Sequence, residues 1–194
     1  MSSLLLISGP AGVGKTTICD RLIREFSPSL TRIITVTSRQ PRNGEVHGKD
    51  YYFISKNEFV DKISSGQFIE HEKVHGNYYG ILKSSLECTV PEKSSTTFLL
   101  NIDVKGANTI RRVLNDGIYD NVQSLSIFIR PKDLDVLKCR MIQRGDSSNA
   151  EIKIRIQTAI EELKSASFFD YVLISNDREH DYYKIRSKYL EFFN

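Results

Sequence analysis

A glycine-rich loop between an apolar run and a helical pattern is the feature that most constrains this chain. Leu4–Ser8 has the composition of a buried parallel strand. Gly9–Thr16 follows at once, fits the spacing G-x-x-x-x-G-K-[ST], and overlaps a helical pattern that begins at Lys15. A strand that runs through such a loop into a helix places the positive end of the helix against an anion. The sequence therefore predicts an α/β protein with a phosphate-binding loop near its N-terminus.

The loop contains the residue types that a bound polyphosphate requires. Glycines let backbone amides approach the phosphates closely. Lys15 is placed to reach the β- and γ-phosphates, and Thr16 to offer a hydroxyl oxygen to a Mg²⁺ ion that bridges them. The alternative is a glycine-rich turn that only caps a helix, but the complete pattern and its flanks favour nucleotide binding. The predicted binding residues of the loop are Gly9, Pro10, Ala11, Gly12, Val13, Gly14, Lys15, Thr16 and Thr17.

Composition excludes several other classes of protein. Of the 194 residues, 40% are hydrophobic and 26% charged, which is unlike a disordered or fibrous chain. A net charge of +3 is too balanced for a nucleic-acid-binding arm. The three cysteines are widely spaced without a C-x-x-C pair, so neither a disulfide framework nor a zinc site is expected. The N-terminal apolar run is too short for a signal peptide or membrane span, and we expect a cytoplasmic protein without membrane or nucleic-acid partners.

Short apolar strands alternate with helical patterns along most of the chain, which predicts a parallel sheet covered by helices. The predicted strands are Leu4–Ser8, Arg32–Thr37, Thr97–Asp103, Leu125–Ile129 and Tyr171–Ile174. The predicted helices are Lys15–Phe26, Lys105–Leu114, Asp133–Gln143, Ala150–Ser165 and Glu179–Phe193.

The stretch from Arg39 to Leu86 interrupts this alternation. It contains short segments rich in tyrosine and glycine, and is predicted to be an inserted β-rich subdomain. Ser55 and Glu58 have the spacing of a capping box, so a short helix is expected to follow Ser55.

A second anion site is predicted just after the strand that ends at Thr37. Arg39 and Arg42 lie three residues apart on an extended segment stiffened by Pro41. Paired guanidinium groups suit a phosphate monoester. Taken alone, the two arginines would be interpreted as solvated loop charges.

At this point the sequence resembles the guanylate kinases. The motifs that carry the resemblance occur in the family's order over almost the whole chain: Gly9–Thr16, Thr37–Tyr51 (T-S-R-x-P-R-x-G-E-x-x-G-x-D-Y), Phe68-Ile69-Glu70, Gly76–Gly80 and Ile102-Asp103, followed by Arg140, Arg144-Gly145, Arg155 and Asn176-Asp177. The resemblance implies a three-layer P-loop NTPase-type α/β fold with a five-stranded parallel sheet. It also implies a core over about 1–38, 87–139 and 160–194, a GMP-binding subdomain over 39–86, and a short lid over 140–159.

The resemblance implies a GMP site that faces ATP on the loop. Arg39, Arg42, Tyr51 and Tyr79 would hold the GMP phosphate, and Thr35 and Asp103 would assist Glu70 in recognising the base. The Glu70 carboxylate can accept hydrogen bonds from the guanine N1–H and N2–H₂ edge, a pair that adenine lacks. The alternatives are that the tyrosines are core aromatics and that Glu70 is a surface carboxylate.

The resemblance further implies that arginines of the lid stabilise the transition state. Arg140, Arg144 and Arg155 flank a polar stretch at 145–149, and Asn176 would contribute to ATP binding. Arginines brought in by closure can neutralise the charge of the transferred phosphoryl group and exclude water. The alternative is that Arg140 and Arg144 are solvated or paired with Asp133 and Asp135. No general base is required, because a phosphate oxygen of GMP is already anionic.

Three positions depart from the family pattern. Asn101 replaces the first aspartate of the usual D-I-D run, Lys105 a common glutamine, and Ile81 a common serine after G-N-Y-Y-G. Asn101 removes a carboxylate that could place magnesium or water, and Ile81 removes a hydroxyl donor near GMP. We expect modestly weaker GMP affinity with activity retained.

The favoured interpretation is a kinase, either a monomer or a homodimer, that transfers phosphate from ATP to GMP, and to dGMP, with Mg²⁺. One alternative is a guanylate-kinase-like interaction domain that has lost catalysis, but the intact Lys15 and Thr16 argue against it. Another is a kinase of a different phosphorylated acceptor such as a ribose phosphate. Glu70 distinguishes the two kinases, because a ribose phosphate presents no base edge.

Overall fold

The computed structural model describes residues 2–74, 76–87, 96–116, 122–145 and 148–193. Its strands are β1 (Ser2–Ser8), β2 (Leu30–Arg32), β3 (Thr35–Thr37), β4 (Tyr51–Phe53), β5 (Phe68–Val74), β6 (Asn77–Leu82), β7 (Thr97–Asn101), β8 (Val122–Arg130) and β9 (Tyr171–Ile174). Its helices are α1 (Lys15–Phe26), α2 (Lys56–Ser64), α3 (Lys83–Glu87), α4 (Val104–Asn115), α5 (Leu134–Arg144), α6 (Asn149–Leu163) and α7 (Arg178–Phe193), with a 3₁₀ turn at Ala166–Phe168.

The main sheet has five parallel strands in the order β2-β7-β1-β8-β9. The central strand β1 is buried on both faces, as its apolar run predicts. Leu5 and Ile7 belong to a cluster with residues of α1 and α7, whereas Leu4 and Leu6 belong to a second cluster with residues of α4. Helices therefore cover both faces, and the predicted three-layer α/β fold with a five-stranded parallel sheet is confirmed.

The predicted single strand over Arg32–Thr37 is wrong, because this segment changes sheets. β2 pairs with β7 in the main sheet, and Ile33 still donates its backbone N–H to the Leu99 carbonyl at 2.9 Å. β3 then joins a second, four-stranded sheet in the order β4-β3-β6-β5. Ile33 packs in the second core cluster, and Val36 in a third cluster with Phe59 and Phe68. An apolar β-branched run looks the same in either sheet, so the pattern conceals the change.

The second sheet has its own small core, formed against α2. Phe59 of α2 stacks on Phe68 and Tyr78 at ring-centroid distances of 4.4 and 5.3 Å. The helix predicted after Ser55 is present: the Ser55 hydroxyl accepts the Glu58 backbone N–H at 3.1 Å. The hydroxyl of the predicted capping box thus accepts a hydrogen bond from a free backbone amide in the first turn of α2.

Helix boundaries follow local signals closely. α1 has the predicted bounds Lys15–Phe26. α6 begins after a complete capping box between Ser148 and Glu151, one residue before its predicted start at Ala150. Within the described part of the chain, none of the helices has the length and apolar character needed to cross a membrane.

Candidate functional site

A cleft of about 440 Å³ lies between the main sheet and the second sheet. It opens where β1 and β7 end, at the carboxyl edge where parallel α/β sheets bind ligands. Most of the predicted site residues line it: Gly9, Ala11, Gly12, Gly14, Lys15, Thr16, Thr17, Thr35, Arg39, Arg42, Tyr51, Glu70, Tyr79, Asp103 and Arg155. The fold thus brings the predicted nucleotide loop and the predicted second anion site to one cavity.

The glycine loop forms one wall of the cleft. Gly9 has φ +139°, and a Cβ there would lie 2.4 Å from the Ile129 carbonyl oxygen, so the loop depends on glycine where it leaves β1. Gly14 precedes α1 with φ +109° and makes no side-chain cap. Lys15 folds back over the loop, where its Nζ donates to the carbonyl oxygens of Gly9 at 2.5 Å and Pro10 at 3.1 Å. The contribution of Pro10 to the loop is this carbonyl oxygen.

Thr16 and Asn101 meet beside the loop. Asn101 ends β7, the neighbour of β1 in the sheet, and its Nδ2 donates to Thr16 Oγ1 at 3.4 Å. The departure from aspartate at position 101 therefore places a neutral amide, rather than a carboxylate, next to the hydroxyl of Thr16.

The second anion site is organised around Arg39. Its guanidinium group binds Glu45 through two hydrogen bonds of 2.6 and 2.9 Å, and Glu45 also accepts the backbone N–H of Arg42 at 2.7 Å. Burial disfavours the charged form of Arg39, but its interactions with Glu45 and Tyr79 together outweigh this effect and raise the pKa of the guanidinium group. Burial likewise raises the carboxyl pKa of Glu45, but the interactions of Glu45 with Arg39 and Arg42 together outweigh this effect and leave that pKa lowered.

Two tyrosines complete this part of the wall. Tyr51 and Tyr79 are half-buried and line the cleft, and their rings meet edge to face with centroids 6.3 Å apart. The guanidinium carbon of Arg39 lies 5.2 Å from the centre of the Tyr51 ring. Burial raises the pKa of the Tyr51 hydroxyl, which therefore stays protonated over the physiological range and can donate a hydrogen bond.

Glu70 also lines the cleft, with 8% of its surface exposed. It stands on β5 next to a bulge, and the first turn of α4 packs beneath it: a Cβ at Gly106 would lie 3.1 Å from Glu70 Cδ. Burial, and then the charges of Asp103 and Glu72, raise the pKa of Glu70 to about 8. Asp103 caps α4 by accepting the Gly106 N–H at 2.8 Å. Ile81, the third departure, is fully buried opposite Glu70.

The three arginines predicted to act from a lid have different positions. Arg155 lines the cleft from α6. Arg140 lies on the far side of the loop, where its Nη1 donates to the Val13 carbonyl at 3.1 Å and it lines an adjacent pocket of about 200 Å³ with Val13. The side chain of Arg144 lies outside the described residues. Asn176 lines neither cavity, and its backbone N–H donates to Asp181 Oδ1 at 2.8 Å.

The sequence did not predict a role for Glu45, which binds Arg39, or for three residues of α6 that line the cleft. Glu45 lies within the family motif, three residues after Arg42, and its role as the partner of Arg39 requires the folded loop. The other three, Glu151, Thr158 and Glu162, share a face of α6 with Arg155, and their spacing of three or four residues could have revealed them. Burial raises the pKa of Glu162 to about 7; Lys15 lowers it and Asp103 raises it.

The comparisons with known proteins agree with this geometry. The family model for guanylate kinase matches residues 1–191. The chain belongs to the guanylate kinase family. The predicted resemblance is therefore confirmed.

Individual guanylate kinases match nearly the whole chain. That of Protochlamydia amoebophila is 38% identical over 185 residues, which cover 95% of this chain and 88% of the relative. That of Wolbachia from Brugia malayi is 37% identical over 184 residues, covering 95% and 90%. The crystal structure of guanylate kinase from Anaplasma phagocytophilum superposes with a TM-score of 0.77 at 29% identity, covering 100% of this chain and 87% of the other.

Proposed function

We propose that this protein transfers the γ-phosphoryl group of ATP to GMP, giving ADP and GDP. As a member of the guanylate kinase family it is a nucleoside monophosphate kinase. One observation carries the proposal for this chain: a single cleft has the glycine loop with Lys15 on one wall and Arg39, Tyr79 and Glu70 on the other. Such a cleft can hold a nucleoside triphosphate and a nucleoside monophosphate with their phosphates facing each other.

The loop is the proposed donor site. Backbone amides at the start of α1 would bind the β- and γ-phosphates of ATP, and the helix dipole would stabilise their charge. Lys15 would exchange the carbonyls of Gly9 and Pro10 for these phosphates, which it reaches from the same loop. Arg155 would approach the transferred phosphoryl group from α6. Arg140, Arg144 and Asn176 are proposed to complete the ATP side.

The residues around Thr16 fit a magnesium ion. Mg²⁺ prefers hard oxygen ligands and keeps few protein groups, and Thr16 offers one hydroxyl oxygen in the cleft beside the loop. Bound with ATP, Mg²⁺ would neutralise charge on the phosphates. The amide of Asn101 would orient the Thr16 hydroxyl.

The second anion site would bind the phosphate of GMP. Arg39 Nε is buried and has no hydrogen-bond partner among the residues that the structure describes, although both terminal nitrogens serve Glu45. A phosphate beside Arg39 would satisfy this donor, and the hydroxyls of Tyr51 and Tyr79 with Arg42 would supply further bonds. The nucleophile is a phosphate oxygen of GMP, which is anionic at neutral pH and needs no general base.

Glu70 would select the base. Its ionised carboxylate can accept both N1–H and N2–H₂ of guanine, while Thr35 and Asp103 also line the cleft. Adenine would leave a buried charge unpaired, which is the costliest mismatch that such a site can impose. Because the pKa of Glu70 is about 8 in the free protein, GMP binding at pH 7 would release a proton.

Closure would complete the site. We propose that the subdomain over residues 39–86 and the lid over 140–159 move against the core over 1–38, 87–139 and 160–194 when both substrates are bound, and so exclude water that would hydrolyse ATP. We also propose that dGMP is accepted, that the protein acts in the cytoplasm as a monomer or homodimer, and that it has no nucleic-acid partner.

The test is a coupled ADP-release assay with ATP and Mg²⁺. GMP, dGMP, AMP, CMP, UMP and a ribose phosphate are offered separately, and Lys15→Ala is assayed beside the natural sequence. We expect turnover with the guanine nucleotides alone, reduced at least about 100-fold by Lys15→Ala, as expected when a charged group that contacts the transferred phosphoryl is removed. GMP binding without turnover would instead favour an interaction domain, and turnover with the ribose phosphate would contradict the role of Glu70.

A further inference from the structure

An ion pair joins helix α4 to the strand that carries Glu70. Lys105 Nζ lies 2.5 Å from Glu72 Oε1, with 72% of the lysine side chain and 30% of the glutamate side chain exposed. Glu70 and Glu72 are two residues apart on β5, so their side chains point to the same side of the sheet. On that side Lys105 meets Glu72, and the neighbouring Gly106 lies beneath Glu70.

The charges around Glu70 are mostly negative. Glu72 faces it from the same strand and Asp103 from the start of α4, and both favour the protonated form. Glu162 of α6 faces Asp103, and Lys15 faces Glu162. Across β6, Ile81 stands opposite Glu70 and Tyr79 opposite Glu72, so this strand adds no charge beside either at neutral pH. Lys105 of α4 is the cation bound to Glu72, and its charge also acts on Asp103 and Glu162.

We propose that Lys105 is a positioning residue for base recognition: it binds and neutralises Glu72, so that Glu70 can carry the charge that guanine requires. The inference rests on the proposed function and assigns a role in it to a residue that contacts Glu72 rather than the base. It also gives a physical consequence to the lysine that stands where the family commonly has glutamine.

The proposal predicts opposite effects for the two partners of one ion pair. Lys105→Gln leaves Glu72 charged, which makes ionisation of Glu70 harder, and should raise KM for GMP at pH 7 roughly two- to five-fold, the range that exposed ion pairs give. Glu72→Gln removes the repelling charge and should lower KM for GMP. The double variant should lie near the natural protein. The pH below which KM rises should move up in Lys105→Gln and down in Glu72→Gln, with kcat and KM for ATP unchanged.

The control is Lys188→Gln, which removes a comparable pair with Glu191 at 2.7 Å on α7. If the ion pair only stabilised β5, both single variants would have a higher KM for GMP, and that result would overturn the proposal. An unchanged KM for GMP in both single variants would also overturn it. Calorimetric titration with GMP alone distinguishes failure of the proposed function from failure of the role of Lys105. If the natural protein fails to bind GMP, the proposed function fails; if it binds GMP and all variants bind equally, only the role of Lys105 fails.

Discussion

At the scale of single residues, the buried carboxyl groups of the site lower the stability of the folded protein when they are ionised. The pKa of Glu70 is about 8 in the folded protein, against about 4.3 for an unperturbed glutamate. Between these values the folded state binds more protons than the unfolded state, so the contribution of Glu70 to stability is full below pH 4 and is lost as the pH rises to about 8. A group that must be ionised to recognise guanine is thus held where ionisation is unfavourable.

Glu70→Gln should therefore stabilise the free protein and damage its function. At pH 8.5 we expect Tm to rise by at least about 2–4 °C, the shift that ~1 kcal/mol gives in a domain of this size, with little difference at pH 4. The loss of a charged acceptor should lower kcat/KM for GMP roughly 10- to 100-fold. Thermal unfolding at both pH values and the kinase assay measure this, with Glu58→Gln, an exposed carboxylate on α2, as the control. A Tm at pH 8.5 that falls would contradict the unfavourable ionisation of Glu70.

At the scale of elements, the loop after β1 depends on two glycines for different reasons. Gly9→Ala should be the more damaging substitution, because its Cβ would lie 2.4 Å from a backbone oxygen of β8 that cannot move aside. At Gly14, which has φ +109°, a Cβ meets nothing within 4 Å, so alanine there adds only backbone strain of about 1–3 kcal/mol. Urea unfolding midpoints and KM for ATP compare the two variants. Equal losses of stability and of ATP affinity in the two variants would show that close packing against β8 does not determine the shape of the loop.

The elements also show how much of the fold could be predicted from the sequence. The strand β1, the glycine loop and α1 were predictable because a local pattern determines each of them. The passage of Arg32–Thr37 from one sheet to the other was not predictable, because pairing partners decide it. These partners lie in β4, β6 and β7, between 16 and 67 residues further along the chain. The pairing of Glu45 with Arg39 and of Lys105 with Glu72 likewise requires the folded chain.

At the scale of the whole molecule, the cleft exists because two sheets meet at the carboxyl edge of the main one. Arg39, Glu70 and Tyr79 belong to or adjoin the second sheet, and Lys15 to the main one. The sequence predicted that these residues act together through the family motifs, whereas their common cavity could be seen only in the fold. Transfer between two nucleotides thus requires both sheets to hold their substrates at once.

The central claim is tested most directly by following the phosphoryl group itself. Phosphorus NMR of the protein with equal concentrations of ATP and GMP in Mg²⁺ should show GDP and ADP appearing in equal amounts, with no inorganic phosphate during the transfer. Release of inorganic phosphate in place of GDP, or unchanged ATP in the presence of bound GMP, would contradict direct transfer across this cleft.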